Sequence, residues 1–270
     1  MPEDRKTDSF SFTPIGVVRS SGKFRFEAAR QGVFSRNSGR IELLSGFNYE
    51  QALSDLAGFE RIWVVFVFHL NKGWRPKASP PVAPADRRFG LFSTRSPYRP
   101  NPIGLSCVEL EKIDGLTLHI RNFDMLDGTP VLDLKPYIPE IDSFPGARAG
   151  WRDELKASEW QITFSSKFID KTSWIFEQAE LDMVNFCRVQ LAYSPLNVAK
   201  KRVGRHSADG NMWNIGYRTW KIFFRADEAA RSIEVDDVSS NYKASELVPD
   251  AEDVYRDKEL HRAFNVKFAE

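Results

Sequence analysis

The stretch Phe59-Glu60-Arg61-Ile62-Trp63-Val64-Val65-Phe66-Val67-Phe68-His69-Leu70 contains the longest uninterrupted apolar run of the chain, Ile62 to Phe68. Its β-branched and aromatic residues over Glu60 to Leu70 predict a strand buried on both faces. The run is far shorter than the roughly 20 residues that a membrane-spanning helix needs. On its N-terminal side, Phe12 to Arg19 and Arg40 to Leu44 alternate or run apolar, and Asn48 is a candidate cap for a short helix that reaches about Ala57 and stops at Gly58. On its C-terminal side, strands are expected at Arg88 to Ser93, Ile103 to Ile113, Leu116 to Asn122 and Pro130 to Lys135, with Asp114-Gly115 closing a hairpin between the middle two. Many strands with a single helix predict a closed or nearly closed β-barrel. No Gly-x-Gly-x-x-Gly turn joins a strand to a helix, so a Rossmann-type dinucleotide or methyl-donor fold is disfavoured.

Between Ile138 and Ser158 the composition shifts to Pro139, Pro145, Gly146, Gly150 and scattered charge, which reads as a linker. The chain is thus expected to be mainly β: a barrel domain over 10–150, a smaller α+β domain over 158–240 and a polar, acidic tail over 241–270. In the second domain Trp160 to Phe164 suggests a strand. Thr172 to Leu191 suggests one helix, with Ile175, Ala179, Met183 and Phe186 on a common face. Trp220, Ile222 and Phe224 alternate with Thr219, Lys221, Phe223 and Arg225, and a return strand Ser232 to Val238 is expected across the Asp227 to Arg231 turn. The alternating aromatics read as core rather than as a base-stacking platform. The tail is expected to be disordered in part or to form a terminal helix near Ala251 to Phe264.

The 270 residues suffice for a sizeable core, and 42% hydrophobic and 13% aromatic content exclude a disordered protein. Lys+Arg 38 against Asp+Glu 37 leaves net charge silent about nucleic acid, but the distribution is uneven. Lys72, Arg75, Lys77, Arg87, Arg88, Arg95 and Arg99 gather against Asp86 alone, Lys200, Lys201, Arg202 and Arg205 form a second basic group, and acidic residues collect between Asp227 and Glu259. Such segregation suits a phosphate-facing surface, or is simply solvated charge. Cys107 and Cys187 are too few for a disulfide framework or a zinc site and read as packed thiols. With a polar N-terminus lacking a signal-peptide core, the expectation is a soluble cytoplasmic protein with no metal and no membrane contact.

The run Gly90-Leu91-Phe92-Ser93-Thr94-Arg95-Ser96-Pro97-Tyr98-Arg99-Pro100-Asn101-Pro102-Ile103-Gly104 reads as a stiff polar loop between apolar segments. Its prolines fix φ and push Ser96, Arg99 and Asn101 towards extended conformations, so much of the ordering of Arg95, Arg99 and Asn101 precedes any ligand. The plainer reading is a loop that shields a sheet edge. The segment resembles the signature of the TrmO (TsaA) family. Further blocks fall in the family's order: Pro14-Ile15-Gly16-Val17-Val18-Arg19-Ser20, Arg30-Gln31-Gly32, Phe59 to Leu70, Trp74-Arg75-Pro76, and Asp127-Gly128-Thr129-Pro130 running to Leu134-Lys135-Pro136-Tyr137. The likeness spans roughly Thr13 to Trp151.

The resemblance implies a TsaA-like barrel and a homodimer with S-adenosylmethionine bound near the dimer interface. It also implies methylation of tRNA at N6 of threonylcarbamoyladenosine beside the anticodon. The cofactor set it implies is Arg30, Gln31, His69, Leu70, Arg95, Leu105, Asp124, Met125, Leu126 and Asp127, with backbone contacts at Leu70, Leu105 and Leu126. A sulfonium methyl donor needs an apolar slot, acceptors for ribose and amine, and a cation for its carboxylate; Arg95, Arg99 or Arg30 suits the last. His69 ends an apolar strand and is either a satisfied core histidine or a ligand contact. Direct displacement by N6 asks the protein for orientation and for a proton acceptor, Asp127 or Asp133, with Lys135 and Tyr137 as polar supports. Either aspartate is otherwise a turn former. Arg99, Asn101, Lys200 and Lys201 are the expected substrate contacts.

The family's Asp-Pro-Arg-Pro-x-Tyr motif is not kept: the aligned residues run from Ala192 to Lys200 and share only Pro195. Likewise, the family's Pro-Arg-Gln is Ala29-Arg30-Gln31. That divergence leaves room for a second reading, a TsaA-like barrel that binds S-adenosylmethionine and regulates without methylating tRNA.

Overall fold

A computed structural model describes residues 9–25, 28–29, 31–80, 82–83, 87–156, 159–193, 195–198, 202–206 and 211–269. In chain order its elements begin with β1 (Gly16–Arg19), β2 (Ser38–Leu43), α1 (Tyr49–Ala52), β3 (Arg61–Val67), β4 (Lys77–Ala78), β5 (Phe89–Gly90), β6 (Ile103–Asp114), β7 (Thr117–Arg121) and β8 (Pro130–Pro136). There follow α2 (Pro139–Asp142), α3 (Trp151–Lys156), β9 (Gln161–Phe164), α4 (Ser166–Ala179), α5 (Met183–Leu191), β10 (Val203–Arg205), β11 (Met212–Tyr217), β12 (Trp220–Asp227), β13 (Ser232–Ser240) and α6 (Lys258–Lys267). The residues group into two units, Met1–Trp74 with Pro97–Ser143, and Arg75–Ser96 with Phe144–Glu270.

The first unit is a closed barrel of six strands in the order β1-β2-β7-β6-β3-β8. Every pairing is antiparallel, and β8 closes the ring onto β1 through Gly16–Val131 and Val17–Pro130. Alternation sends Val18, Ile41, Ile62, Val64, Phe66, Val108, Leu118, Ile120 and Val131 into one buried core. The central strand departs from its expected double burial: Ile62, Val64 and Phe66 are buried, whereas Trp63, Val65 and Val67 face outward and are half-buried. A closed barrel has only one inside, so its strands alternate even where the sequence is continuously apolar. Opposite Phe66, β6 carries Gly104, and a Cβ there would stand 2.3 Å from the Phe66 ring.

The second unit holds a five-stranded sheet, β10-β11-β12-β13-β9, in which β9 alone runs parallel, to β13. Trp220, Ile222 and Phe224 from β12 join Phe168, Ile175, Met183, Cys187 and Leu191 from the helices in its core, as their alternation predicts. The single helix expected over Thr172 to Leu191 is two. Glu180 adopts a left-handed conformation (φ 54°) and its N–H bonds the Phe176 carbonyl, and Asp182 then caps α5 through the Asn185 N–H at 2.9 Å.

The strand expected at Arg88 to Ser93 reduces to Phe89–Gly90, paired with Lys77–Ala78 in the second unit. The chain turns at once because Ser93 Oγ donates to the Gly90 carbonyl (2.8 Å) and Thr94 Oγ1 to that of Leu91 (2.7 Å). Two short helices, α2 and α3, form inside the expected linker. The barrel unit ends at Ser143 and omits Arg75–Ser96, unlike the continuous 10–150 read from sequence.

The acidic tail ends in α6, fastened by a buried polar cluster. The Thr219 hydroxyl donates to Asp257 Oδ2 (2.5 Å) and accepts from His261 Nε2 (2.8 Å), and the Tyr242 hydroxyl donates to Asp257 Oδ1 (2.9 Å). The fully buried His261 ring stacks on Trp220 at 3.8 Å between centroids. Among the described residues, no helix is long and apolar enough to cross a membrane.

Replacing Gly104 by Ala forces a methyl into the Phe66 ring, and a loss of about 1–3 kcal/mol is expected in the denaturant midpoint of the barrel. Burial pushes the Asp257 carboxyl up, but His261 at 3.7 Å and the bonds from Thr219 and Tyr242 outweigh it, leaving the group below the usual carboxylate range. Stability from such a carboxylate is complete above the unfolded value, about 3.9, and disappears as pH falls through the folded one. Asp257→Asn should therefore destabilise the second unit at neutral pH, by about 1–3 kcal/mol, and narrow its gap to the wild type in urea titrations below about pH 4.

Candidate active site

Antiparallel closure places the ends of β1, β3 and β7 beside the starts of β2, β6 and β8. Arg19 pairs with Arg40, Ser38 with Arg121, and Val67 with Ile103. The loops that carry the sequence candidates leave from this one rim, and polar contacts tie them to each other. The Phe68 N–H donates to the Pro102 carbonyl at 2.8 Å, which joins the His69–Leu70 turn to the signature loop beside Asn101. Ser106 Oγ, buried on β6 one residue past Leu105, donates to Asp124 Oδ1. Asn37 grips the next residue back from both sides: its Nδ2 donates to the Phe123 carbonyl (3.0 Å) and its Oδ1 accepts the Phe123 N–H (3.1 Å). Gly32, next to Gln31, lies so close to this segment that a Cβ would stand 2.2 Å from the Asn122 carbonyl oxygen.

Asp127 is held as tightly. The Ser20 N–H donates to its Oδ1 (3.1 Å), its own N–H donates to the Gly22 carbonyl (2.7 Å), and the Gly128 N–H donates to that of Val18 (2.8 Å). Gly128 has φ +74°, the left-handed turn position that the Asp-Gly pair predicts. Gln31, His69, Leu70, Leu105, Asp124, Met125, Leu126, Asp127, Arg99 and Asn101 thus all belong to this rim of the first unit. His69 and Leu105 are exposed, so His69 is not a satisfied core histidine, whereas Met125 and Leu126 are buried and offer the site their backbone.

Other candidates take no part in the contacts just described. Arg95 is an exposed residue of the second unit, after the turn at Leu91–Ser93. Asp133 and Lys135 form an ion pair at 2.8 Å on the outer wall of β8, with side chains 49% and 65% exposed. The Asp133 carboxylate raises the Lys135 pKa, so that side chain is a donor and not a proton acceptor. Tyr137 stands at the opposite rim, its N–H bonded to the Arg61 carbonyl and its ring against Trp63. Arg30, Lys200 and Lys201 lie outside the described residues, as do Ser194 and Ala199 of the divergent motif, whose Pro195 is buried.

Cys187 is fully buried and burial pushes its thiol up. Cys107 is only half-buried on the outer wall, so one of the two expected packed thiols is partly open.

Sequence reasoning missed Asn37 and Ser106, whose roles depend on partners 86 and 18 residues away. It also missed an open cleft of 510 Å³ on the outer face of β1, β2 and β7, bounded by Arg19, Lys23, Arg40, His119, Glu111 and Asp127. Glu42 bridges two of these residues, accepting from Arg19 Nε (2.8 Å) and Arg40 Nε (2.7 Å), and these bonds hold its carboxyl below the usual range. The signal was present in the outward positions of Arg19, Arg40 and Glu42, between the inward Val18, Ile41 and Leu43.

Comparison with known proteins gives the chain's relatives. A family profile described as the tRNA-methyltransferase O N-terminal domain matches residues 17–143. The tRNA (adenine(37)-N6)-methyltransferase of Escherichia coli (strain K12) is 37% identical over 200 residues, 72% of this chain and 85% of that protein. An Archaeoglobus fulgidus protein named as a probable S-adenosyl-L-methionine-binding protein is 41% identical over 145 residues, 52% of this chain and 37% of its own length. The crystal structure of TrmO from Pseudomonas aeruginosa superposes with a TM-score of 0.57 at 27% identity, covering 88% of this chain and 100% of that one.

Asn37→Ala removes both bonds to Phe123 and leaves the carbonyl and N–H of that buried residue without these partners. A loss of about 1–3 kcal/mol is expected, together with faster amide hydrogen exchange confined to 122–127.

Proposed function

Because this chain belongs to the TrmO (TsaA) family, we propose that it catalyses S-adenosylmethionine-dependent methylation of tRNA, at N6 of threonylcarbamoyladenosine beside the anticodon. The observation that carries the reading is the convergence of His69–Leu70, Leu105 and Asp124–Asp127 on one barrel rim, each loop fixed by backbone or buried polar bonds. Relatives named as methyltransferases weigh against the alternative of a binding protein without transfer.

The rim suits the cofactor. Leu70 and Leu105 offer apolar surface, and the fixed backbone over Asp124–Leu126 offers acceptors and donors for ribose and adenine. Of the first unit's candidates, Arg99 or Arg30 would hold the carboxylate. S-adenosylmethionine, when bound, supplies an electrophilic methyl carbon, and the chain supplies orientation and proton removal. The N6 lone pair is delocalised into the purine and the adjoining carbonyl, so a fixed approach and a nearby carboxylate are what lower the barrier. Asp127 is the candidate acceptor at the rim. One of its oxygens holds the Ser20 N–H, which leaves the carboxylate a defined orientation. Asp133, Lys135 and Tyr137 shape the outer wall and the far rim instead.

A homodimer and a cytoplasmic tRNA substrate belong to the same reading. The exposed Ile103 and Leu105, next to half-buried Val65 and Val67, form an apolar strip on the outer wall that a second copy would cover.

Calorimetry is expected to show heat on adding S-adenosylmethionine. Mass spectrometry of tRNA nucleosides should show one additional methyl on the modified adenosine after incubation; no binding together with no methyl transfer would overturn the reading. Asp127→Asn keeps an acceptor for Ser20, and is expected to lower kcat about 100-fold or more with cofactor affinity nearly unchanged. Unchanged kcat would remove Asp127 as the base. Ile103→Glu should shift the light-scattering mass towards the monomer.

A further inference from the structure

The 510 Å³ cleft over β1, β2 and β7 is not among the residues that the methyltransferase reading uses, apart from Asp127 on its edge. Its floor is an unusual row. Arg19 stands directly opposite Arg40, and Arg40 opposite His119, so cationic or titratable side chains occupy one cross-strand line over three strands, while on β6 the lining residue is Glu111. Like charges in opposed positions destabilise a sheet. Here the cost is offset by one carboxylate, Glu42, which takes one N–H from each arginine, at 2.8 Å from Arg19 and 2.7 Å from Arg40. Each guanidinium commits only its Nε to that bond, out of five donors. Side-chain exposures of 45% for Arg19 and 52% for Arg40 keep the pair open to solvent.

The remaining lining is Ser20, Ser21, Lys23, Ser38 and Gly39, with two carboxylates at the margin that are each engaged, Glu111 by Arg121 (3.3 Å) and Asp127 by the Ser20 N–H (3.1 Å). A fork of two arginines with hydroxyl donors matches the geometry of a phosphate oxygen pair. The cleft is open to solvent and not an enclosed cavity, so a polymer can lie across it. It shares the Ser20–Asp127 contact with the candidate active rim, so an anion seated here lies beside the loop that would face the reacting base.

We propose that this cleft holds a backbone phosphodiester of the tRNA substrate, with Arg19 and Arg40 as the positioning pair. The proposal rests on the methyltransferase reading for the identity of the RNA, and on the arginine row for the site. A phosphate contact carries no base information and adds a salt-dependent share of affinity.

The test is tRNA binding by fluorescence anisotropy at several salt concentrations, on the wild type, Arg19→Gln, Arg40→Gln and the paired variant, with calorimetric S-adenosylmethionine binding and thermal midpoints alongside. Each glutamine substitution is expected to lower the slope of log affinity against log salt by about one unit and to weaken tRNA binding severalfold, with cofactor affinity unchanged. Lysine substitutions should keep the slope. Glu42→Gln should move affinity in the opposite direction, which guards against a variant that merely unfolds. Unchanged slopes in folded glutamine variants overturn the assignment. So does a loss seen only with tRNA that carries the threonylcarbamoyl group, because that result gives the arginines to the amino-acid carboxylate. So does equal competition by millimolar inorganic phosphate in wild type and variants. If the wild type binds tRNA with the expected slopes yet transfers no methyl, the cleft stands and the enzymatic reading falls; active transfer with unchanged slopes does the reverse.

Discussion

Closure of an antiparallel ring is the constraint from which the rest of the first unit follows. When six strands pair alternately up and down and the last returns to the first, three strand ends and three strand starts must meet at each rim. Residues separated by about a hundred positions, such as Ser20 and Asp127, then become neighbours without any dedicated connection. A closed wall also exposes no edge strand, which frees the loops from guarding against aggregation and leaves them available for binding.

The rim itself is ordered by hydrogen bonds more than by packing. Asn37 answers both backbone groups of Phe123, Ser106 answers Asp124, and the Asp127–Gly128 turn exchanges bonds with Val18, Ser20 and Gly22. Each such bond contributes only about 0.5–1.5 kcal/mol net, but leaving a buried partner unmade costs more, so one arrangement is selected over many near alternatives. Beneath it, Phe123 with no exposed surface and Met125 with 3% anchor the same loop into the barrel core. A polar upper side and an apolar underside on one short segment give it a single seat.

Much of this was legible from the chain alone. The strands at Gly16–Arg19, Ile103–Asp114, Thr117–Arg121 and Trp220–Asp227 follow from alternation, and the barrel follows from their number and from the single short helix. The rim residues were found through the resemblance to a family rather than through periodicity, because loop residues carry no period. Three features escaped for distinct physical reasons. The break at Glu180 depends on a non-glycine residue in a left-handed cap, which propensity disfavours. Double burial of β3 was inferred from a continuous apolar run, but a closed barrel buries only the inward half, and Trp63, Val65 and Val67 on the outer half are half-buried. The arginine row became visible only with register, since Arg19, Arg40 and His119 are spread over about a hundred residues and meet only when three strands align.

The path of the chain between the two units has a practical corollary. The segment Arg75–Ser96 lies in sequence inside the barrel half, yet its Phe89 ring stacks on Trp151 at 4.2 Å, its Arg87 pairs with Glu154 at 2.7 Å, and the Ser93 carbonyl accepts from Trp151 Nε1 at 2.9 Å. A fragment ending near residue 143 would retain that excursion while discarding everything it rests on, stranding an aromatic side chain and a short ribbon in solvent. Dissecting this molecule into working halves therefore calls for excising a middle loop as well as cutting once, and a gene shortened at the apparent linker is expected to yield a sticky product in place of an autonomous barrel.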